Sequence, residues 1–399
     1  MKIPQLQSLF RRDVDPARYR LEIDGLRFFA IMIVMVGHLL ERIKKFWMTP
    51  NAHLDSAPIN SVIDFFASPN QGVLLFFAIS GFIISKQMQD VPKGRFDAAF
   101  IGKYYVRRIT RIFPPYYAVL IGTFIIVAIG GIEIGGLNGT YVKAVPYSES
   151  LFASLAYAHG IINDSMPRLF PLGWSLEIEV QFYLLAPFIF LLLFRGEDRA
   201  APWRFALLLA ATFVITFVSI NKLIPINKFT IASYIVYFAL GIALSRYENV
   251  VQRAFAKIGS LASGMLGLAT VITLFWIGDA HFDPLIYTLY YWALSLGCVF
   301  VLFGLAFQPA TLFGKFCRIP VVTYIGLACY SLYLVHMQVF HIATLAFSKI
   351  VPISYLSLGL GFCGIMIIGL IAGGLFFALV EKPFASWRPF SSKSRKAVS

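Results

Sequence analysis

Apolar stretches of membrane-spanning length follow one another along almost all of this 399-residue chain, and short basic segments separate them. A span needs about 20 apolar residues, because the ~30 Å hydrocarbon layer cannot hydrogen-bond a backbone and the chain must satisfy itself as a helix. Spans are expected at residues 22–40, 72–85 with an extension over 63–67, 112–129, 174–194, 205–220, 229–244, 258–277, 285–307, 321–347 and 353–380. The expected fold is an all-α, polytopic transmembrane bundle of about ten helices. A chain that is 58% apolar and 14% charged excludes a soluble multidomain protein.

The net charge of +14 raises the question of nucleic acid, and its distribution answers it. Lys and Arg cluster in alternate connecting segments, the pattern of positive-inside topology, so the charge meets a lipid bilayer and no nucleic-acid partner is expected. An even helix count then puts both termini in the cytoplasm. Residues 1–21 read as a basic cytoplasmic arm, 22–384 as one membrane domain and 385–399 as a basic cytoplasmic tail. The first span lacks a small-residue cleavage site and is read as a retained helix. A polar loop is expected at residues 41–60, and Ser68-Pro69-Asn70 marks a break in the second span. The third helix should leave a basic stretch at about Ile112, with Pro114 and Pro115 ending or kinking it. Residues 130–171 read as an outer segment holding one half-buried helix. Cys298, Cys317, Cys329 and Cys363 show no paired spacing, so neither a metal site nor a structural disulfide is expected.

Ionisable groups at membrane depth are functional candidates by default. Arg27 and His38 lie eleven positions apart in the first span, about three turns, which puts both on one helix face with ~16 Å of rise between them. A snorkelling arginine and a hydrogen-bonded core histidine are the structural alternatives. Arg107, Arg108 and Arg111 would converge on a helix as a guanidinium cluster suited to phosphate, or would act only as a topological anchor. Ser175, Glu179 and either Phe182 or Tyr183 share a face at i, i+4 and i+7 or i+8, which aims a carboxylate and a phenol into the bundle; a structural ion pair of the carboxylate with Arg27 or another buried cation is the alternative. Glu177 points elsewhere. Tyr330, Tyr333 and His336 line up at i, i+3 and i+6, while His341 falls on another face. Ser80-Gly81 permits close helix packing or exposes a hydroxyl, and packing is the reading preferred here.

The order of these motifs resembles the acyltransferase 3 family of integral-membrane O-acyltransferases. The resemblance is carried by Arg27 and His38 with ten residues between them, FFAISGF at Phe76–Phe82, RRITRIFPPY at Arg107–Tyr116, WSLEIEVQFY at Trp174–Tyr183, YSLYLVH at Tyr330–His336 and EKPF at Glu381–Phe384. Glu177 departs from the family pattern, which more often has a small polar residue there. Many family members carry a C-terminal esterase-like domain, and this chain reads as a stand-alone member. The resemblance implies transfer of an acyl group, most often acetyl, from a cytoplasmic acyl-CoA co-substrate to a hydroxyl of an extracytoplasmic carbohydrate or glycolipid at the bacterial cytoplasmic (inner) membrane. On that reading His38 is the general base or an acyl relay, assisted by Arg27 and Glu179, and Arg107, Arg108 and Arg111 hold the CoA phosphates. Glu179 or Tyr183 would orient His38 or the acceptor, and Arg27 is a candidate for stabilising developing negative charge. Trp174, Ser175, Tyr183, Tyr333 and His336 bind or orient substrate. A proton-coupled permease is the competing class, since buried Arg, His and Glu also mark carriers.

Overall fold

The computed structural model describes residues 20–48, 57–89, 97–130, 142–194, 201–221, 223, 227–278, 285–352 and 354–386, and among these every regular element is a helix. Nine helices within the described residues are long and apolar enough to cross a membrane. The bundle is therefore polytopic and all-α. Almost all of the basic N-terminal arm and the tail beyond Ser386 lie outside the described residues.

Helix α1 (Leu21–Ile43) runs on through a π-helical turn, Lys44–Met48, so the first part of the polar loop expected at 41–60 is helical, while residues 49–56 of it lie outside the described residues. Burial explains the extension. Trp47 and Met48 are almost inaccessible, and the Trp47 ring stands where a side chain on Gly361 would begin, 2.4 Å away. The second span is broken as predicted: α2 (Ala57–Phe66) stops before Pro69 and α3 (Asn70–Gln89) starts after it. Unpaired backbone at membrane depth is tolerated only under protein cover. Here Gly37 of α1 supplies it, with room for no side chain because the Pro69 nitrogen lies 2.8 Å from its Cβ position.

Helix α4 spans Ala98–Gly130, and its start corrects the expectation of a helix leaving near Ile112. Pro114 and Pro115 lie inside it and do not end it. The Tyr330 hydroxyl donates to the Ile112 carbonyl at 2.6 Å, so this stretch of α4 is bonded from outside as well as from within. The segment before the next span holds two short helices, α5 (Tyr147–Leu155) and α6 (His159–Asn163), in place of one. Helix α7 follows at Gly173–Phe194, then α8 (Ala201–Ile220). The span expected at 229–244 is a shorter helix, α9 (Ile235–Arg246), entered through a 3-10 turn. After α10 (Glu248–Phe255) come α11 (Ser260–Gly278), α12 (Leu285–Ala306) and the short α13 (Leu312–Phe316). The expected span 321–347 is split into α14 (Pro320–Leu327) and α15 (Cys329–Ile350). Helix α16 (Tyr355–Phe376), a π turn and α17 (Lys382–Ser386) complete the described chain.

Helix α1 is the hub, packed against α3, α14 and α15. Small residues let backbones approach where lipid offers no hydrophobic drive between helices. A Cβ on Gly326 would lie 1.8 Å from the Asp24 carbonyl oxygen, and one on Gly72 would lie 2.4 Å from that of Ala30. The α3–α9 crossing is close from both sides: a Cβ on Gly81 would lie 2.2 Å from the Phe238 carbonyl oxygen, and one on Gly241 would lie 2.0 Å from that of Ala78. Gly241→Val is expected to destabilise the protein by about 1–3 kcal/mol or more, seen as lower membrane abundance and a lower unfolding midpoint in detergent. Gly297→Ala, on α12 with nothing within 4 Å of its Cβ position, is the neutral control.

An ion network ties the Leu21 end of α1 to its neighbours. Arg20 bonds Glu22 and reaches Glu248 at 2.6 Å, Lys86 meets Glu248 at 2.7 Å, and Arg318 meets Glu22 at 3.2 Å. Burial pushes the Glu248 carboxyl up, but the hydrogen bonds and charges of Arg20 and Lys86 outweigh it and hold the group below its ordinary range.

Candidate active site

The N-terminal half of α1 borders a cavity built by α3, α4, α7 and α15. Arg27, Ser80, Arg108, Arg111, Glu179 and Tyr183 supply most of its polar wall, Ser175, Tyr330 and Tyr333 the rest, and Ile79, Ile83, Ile84 and Phe76 are among its apolar lining. Arg27 pairs with Asp24 at 2.6 Å, one turn back on its own helix, and not with Glu179. The Glu179 carboxylate instead accepts hydrogen bonds from the Ser80 hydroxyl at 2.5 Å and from the Tyr183 hydroxyl. The i, i+4 spacing on α7 thus does what helical geometry requires, bringing Glu179 and Tyr183 together. Arg108 is held by Gln87, and its guanidinium carbon lies 5.6 and 5.3 Å from the Tyr104 and Tyr183 ring centroids, within cation–π reach of both. The cavity wall therefore carries three guanidinium groups against one carboxylate.

Ser175 shares a hydrogen bond with the Tyr333 hydroxyl at 2.7 Å, and Tyr333 also donates to the Leu172 carbonyl at 3.0 Å. From Tyr333 the wall continues to a second cluster at the far end of α1. The Tyr333 and His336 ring centroids are 5.9 Å apart, and those of His336 and His38 are 5.5 Å apart. His38 Nδ1 lies 2.9 Å from Glu41 Oε2. A carboxylate on one imidazole nitrogen fixes the tautomer and leaves the other nitrogen able to take a proton.

The model of the acyltransferase domain matches residues 20–377. The chain belongs to the acyltransferase 3 family. Among its relatives, O-acetyltransferase OatA of Staphylococcus aureus (strain NCTC 8325 / PS 47) is 25% identical over 345 residues, which cover 81% of this chain and 51% of that protein. Nodulation protein 10 of Rhizobium leguminosarum bv. viciae is 24% identical over 260 residues, 59% of this chain and 62% of the relative. The chain thus spans about half the length of OatA. No solved structure matches.

Within this acyltransferase domain the expected site residues divide. Arg27, Arg108, Arg111, Ser175, Glu179, Tyr183 and Tyr333 meet at one cavity, while His38 and His336 form the adjoining cluster. Arg107 is exposed and is not among the residues that line the cavity with Arg108 and Arg111. Trp174 is buried against Tyr234 and Phe77 at centroid distances of 5.4 and 6.5 Å and is not part of the cavity wall. The carboxylate beside His38 is Glu41, and not Glu179 as the sequence allows. Glu177 does point elsewhere: fully buried, it accepts the Gly160 N–H at 2.8 Å and so anchors α6 to α7. Ser80 does more than the packing expected of its dipeptide, since Gly81 makes the close approach and frees its neighbour's hydroxyl for Glu179. Among the described residues no group of three or more His, Cys, Asp or Glu is placed to hold a metal ion.

Proposed function

We propose that the protein moves an acyl group, acetyl in the first instance, from acyl-CoA on the cytoplasmic side to a hydroxyl of a surface carbohydrate or glycolipid. It does so in the bacterial cytoplasmic membrane, with both termini cytoplasmic. The observation that carries the reading is the three-arginine cavity joined through Tyr333 and His336 to the His38–Glu41 pair. The cations and apolar walls suit an anionic donor with a long flexible arm, and the ~16 Å rise from Arg27 to His38 suits a substrate held at one end and reacted at the other. Arg108 and Arg111 take the donor's phosphates. Arg107, exposed on the flank of α4, has only a topological part. Arg27 stands too far along α1 to serve the reacting carbon at His38, so its part is to hold the donor.

His38 takes the proton of the acceptor hydroxyl as that oxygen attacks the thioester carbon, forming the C–O bond. Glu41 holds the imidazole and balances the imidazolium that results. Collapse of the tetrahedral intermediate breaks the C–S bond, and the imidazolium returns its proton to the leaving CoA thiolate. Glu179, held by Ser80 and Tyr183, keeps the cavity wall polar beside Arg27 and orients the donor, with Ser175 and Tyr333 continuing that wall toward His336. Mass spectrometry of surface glycans from cells with and without the gene tests the function, and a lost acyl substituent is the expected difference.

Glu41→Gln separates the pair's contribution from that of His38. The Glu41 side chain is 42% exposed, so solvent weakens its hold on the imidazole. The expected result is a fall in kcat of about 10-fold to 10²-fold with the half-saturating acyl-CoA concentration unchanged, well short of the ~10⁴ loss when a buried triad carboxylate is replaced.

A further inference from the structure

We propose that His336 is a hydrogen-bond acceptor for the molecule being acylated, its Nε2 taking a hydroxyl next to the one that His38 deprotonates, so that the site selects neighbouring diols over isolated alcohols. The inference rests on the acyltransferase reading and adds to it the kind of acceptor the site fits.

His336 Nδ1 lies 2.9 Å from the Leu332 carbonyl one turn back on α15. A carbonyl only accepts, so Nδ1 carries the proton, and the neutral ring presents a lone pair at Nε2. That atom is buried in a residue of 0% exposure and has no partner. An unpaired buried acceptor is costly enough that it marks a place where a donor belongs. The His38 ring centroid lies 5.5 Å from that of His336 with 30° between the ring planes, and its Nδ1 is engaged by Glu41. With Nδ1 protonated in each ring, both Nε2 atoms are acceptors and neither satisfies the other.

A hydroxyl brings one proton and satisfies one imidazole. Two neighbouring hydroxyls satisfy both, and such pairs are the ordinary equipment of sugars. Arg42, buried one turn beyond His38 and close enough to act electrostatically on His336, argues for neutral hydroxyl donors and against an ammonium group. The position also fits the order of events. Tyr333, whose ring centroid is 5.9 Å from that of His336, lines the donor cavity, so an acceptor seated on the two histidines would adjoin the donor.

The test uses the purified protein, acetyl-CoA and a surface glycan fraction from cells lacking the gene, with cis-1,2-cyclohexanediol and cyclohexanol as competitors of transfer. In wild type the diol is expected to inhibit at a concentration about 10-fold lower than the alcohol, a difference one hydrogen bond supplies. His336→Leu should erase that preference, and His336→Gln, whose amide oxygen falls near the ε position, should keep it. Equal potency of diol and alcohol in wild type, or a preference that survives in His336→Leu, overturns the proposal. If His336→Leu fails to fold, His336→Asn replaces it: its polar atoms stay on the δ side, so loss of the preference is expected and its retention overturns the assignment. If wild type transfers nothing from acetyl-CoA, the acyltransferase reading falls, and binding of the two competitors to the same variants, read by tryptophan fluorescence, still decides for or against His336.

Discussion

Membranes carrying His38→Ala are expected to hold the protein at wild-type abundance and to transfer acyl groups at least ~10²-fold more slowly, the lower bound for losing a positioned general base. Geometry is the reason to expect a catalytic effect without loss of the fold. His38 makes its hydrogen bond to Glu41, whose side chain is 42% exposed, and not to a buried group that would be stranded by truncation. Its ring packs against His336, which stays anchored to the Leu332 carbonyl when His38 is removed. Transfer measured against immunoblotted abundance separates the outcomes. Activity falling only in proportion to protein would assign His38 to the core.

The second large effect belongs to the arginines of α4. Arg108→Ala and Arg111→Ala are each expected to raise the acyl-CoA concentration for half-maximal rate by about 10-fold or more, since each removes a charge-assisted contact. Arg107→Ala is expected to leave it unchanged, because that side chain is exposed and does not line the cavity. Arg108 also lies within cation–π reach of Tyr104 and Tyr183, and Arg108→Lys should restore only part of the affinity, because a point charge does not replace the guanidinium fork. Initial rates over a range of acyl-CoA concentrations distinguish this from an anchoring role, in which all three substitutions would change abundance and leave the half-saturating concentration alone.

Features that depend on helical period alone are legible in the amino-acid order. Arg27 and His38 lie on one helix, Ser175, Glu179 and Tyr183 share a face of α7, and Pro69 breaks the second span. Features set by neighbours are not. Glu41 falls in a polar run that reads as a loop, and it is helical because α1 continues into a π turn that seats Trp47 against Gly361. The charged start of α4 reads as an interfacial flank, yet it is helix from Ala98, which puts Arg108 and Arg111 in a cavity wall. Which of three clustered arginines turns outward depends on how α4 is rotated against α7 and α15, and no local pattern records that rotation. Ser80 and Gly81 show the same limit: one position packs backbone to backbone with α9, and the other points to Glu179.

On this mechanism donor and acceptor meet between the three-arginine cavity and His38. Its most direct test is transfer from acetyl-CoA labelled in the acetyl group to a surface glycan fraction, comparing membranes that contain wild type, His38→Ala or no protein. Alkali-labile label is expected in the glycan with wild type alone. Label appearing equally with His38→Ala, or no glycan label from wild-type membranes supplied with both substrates, would contradict it.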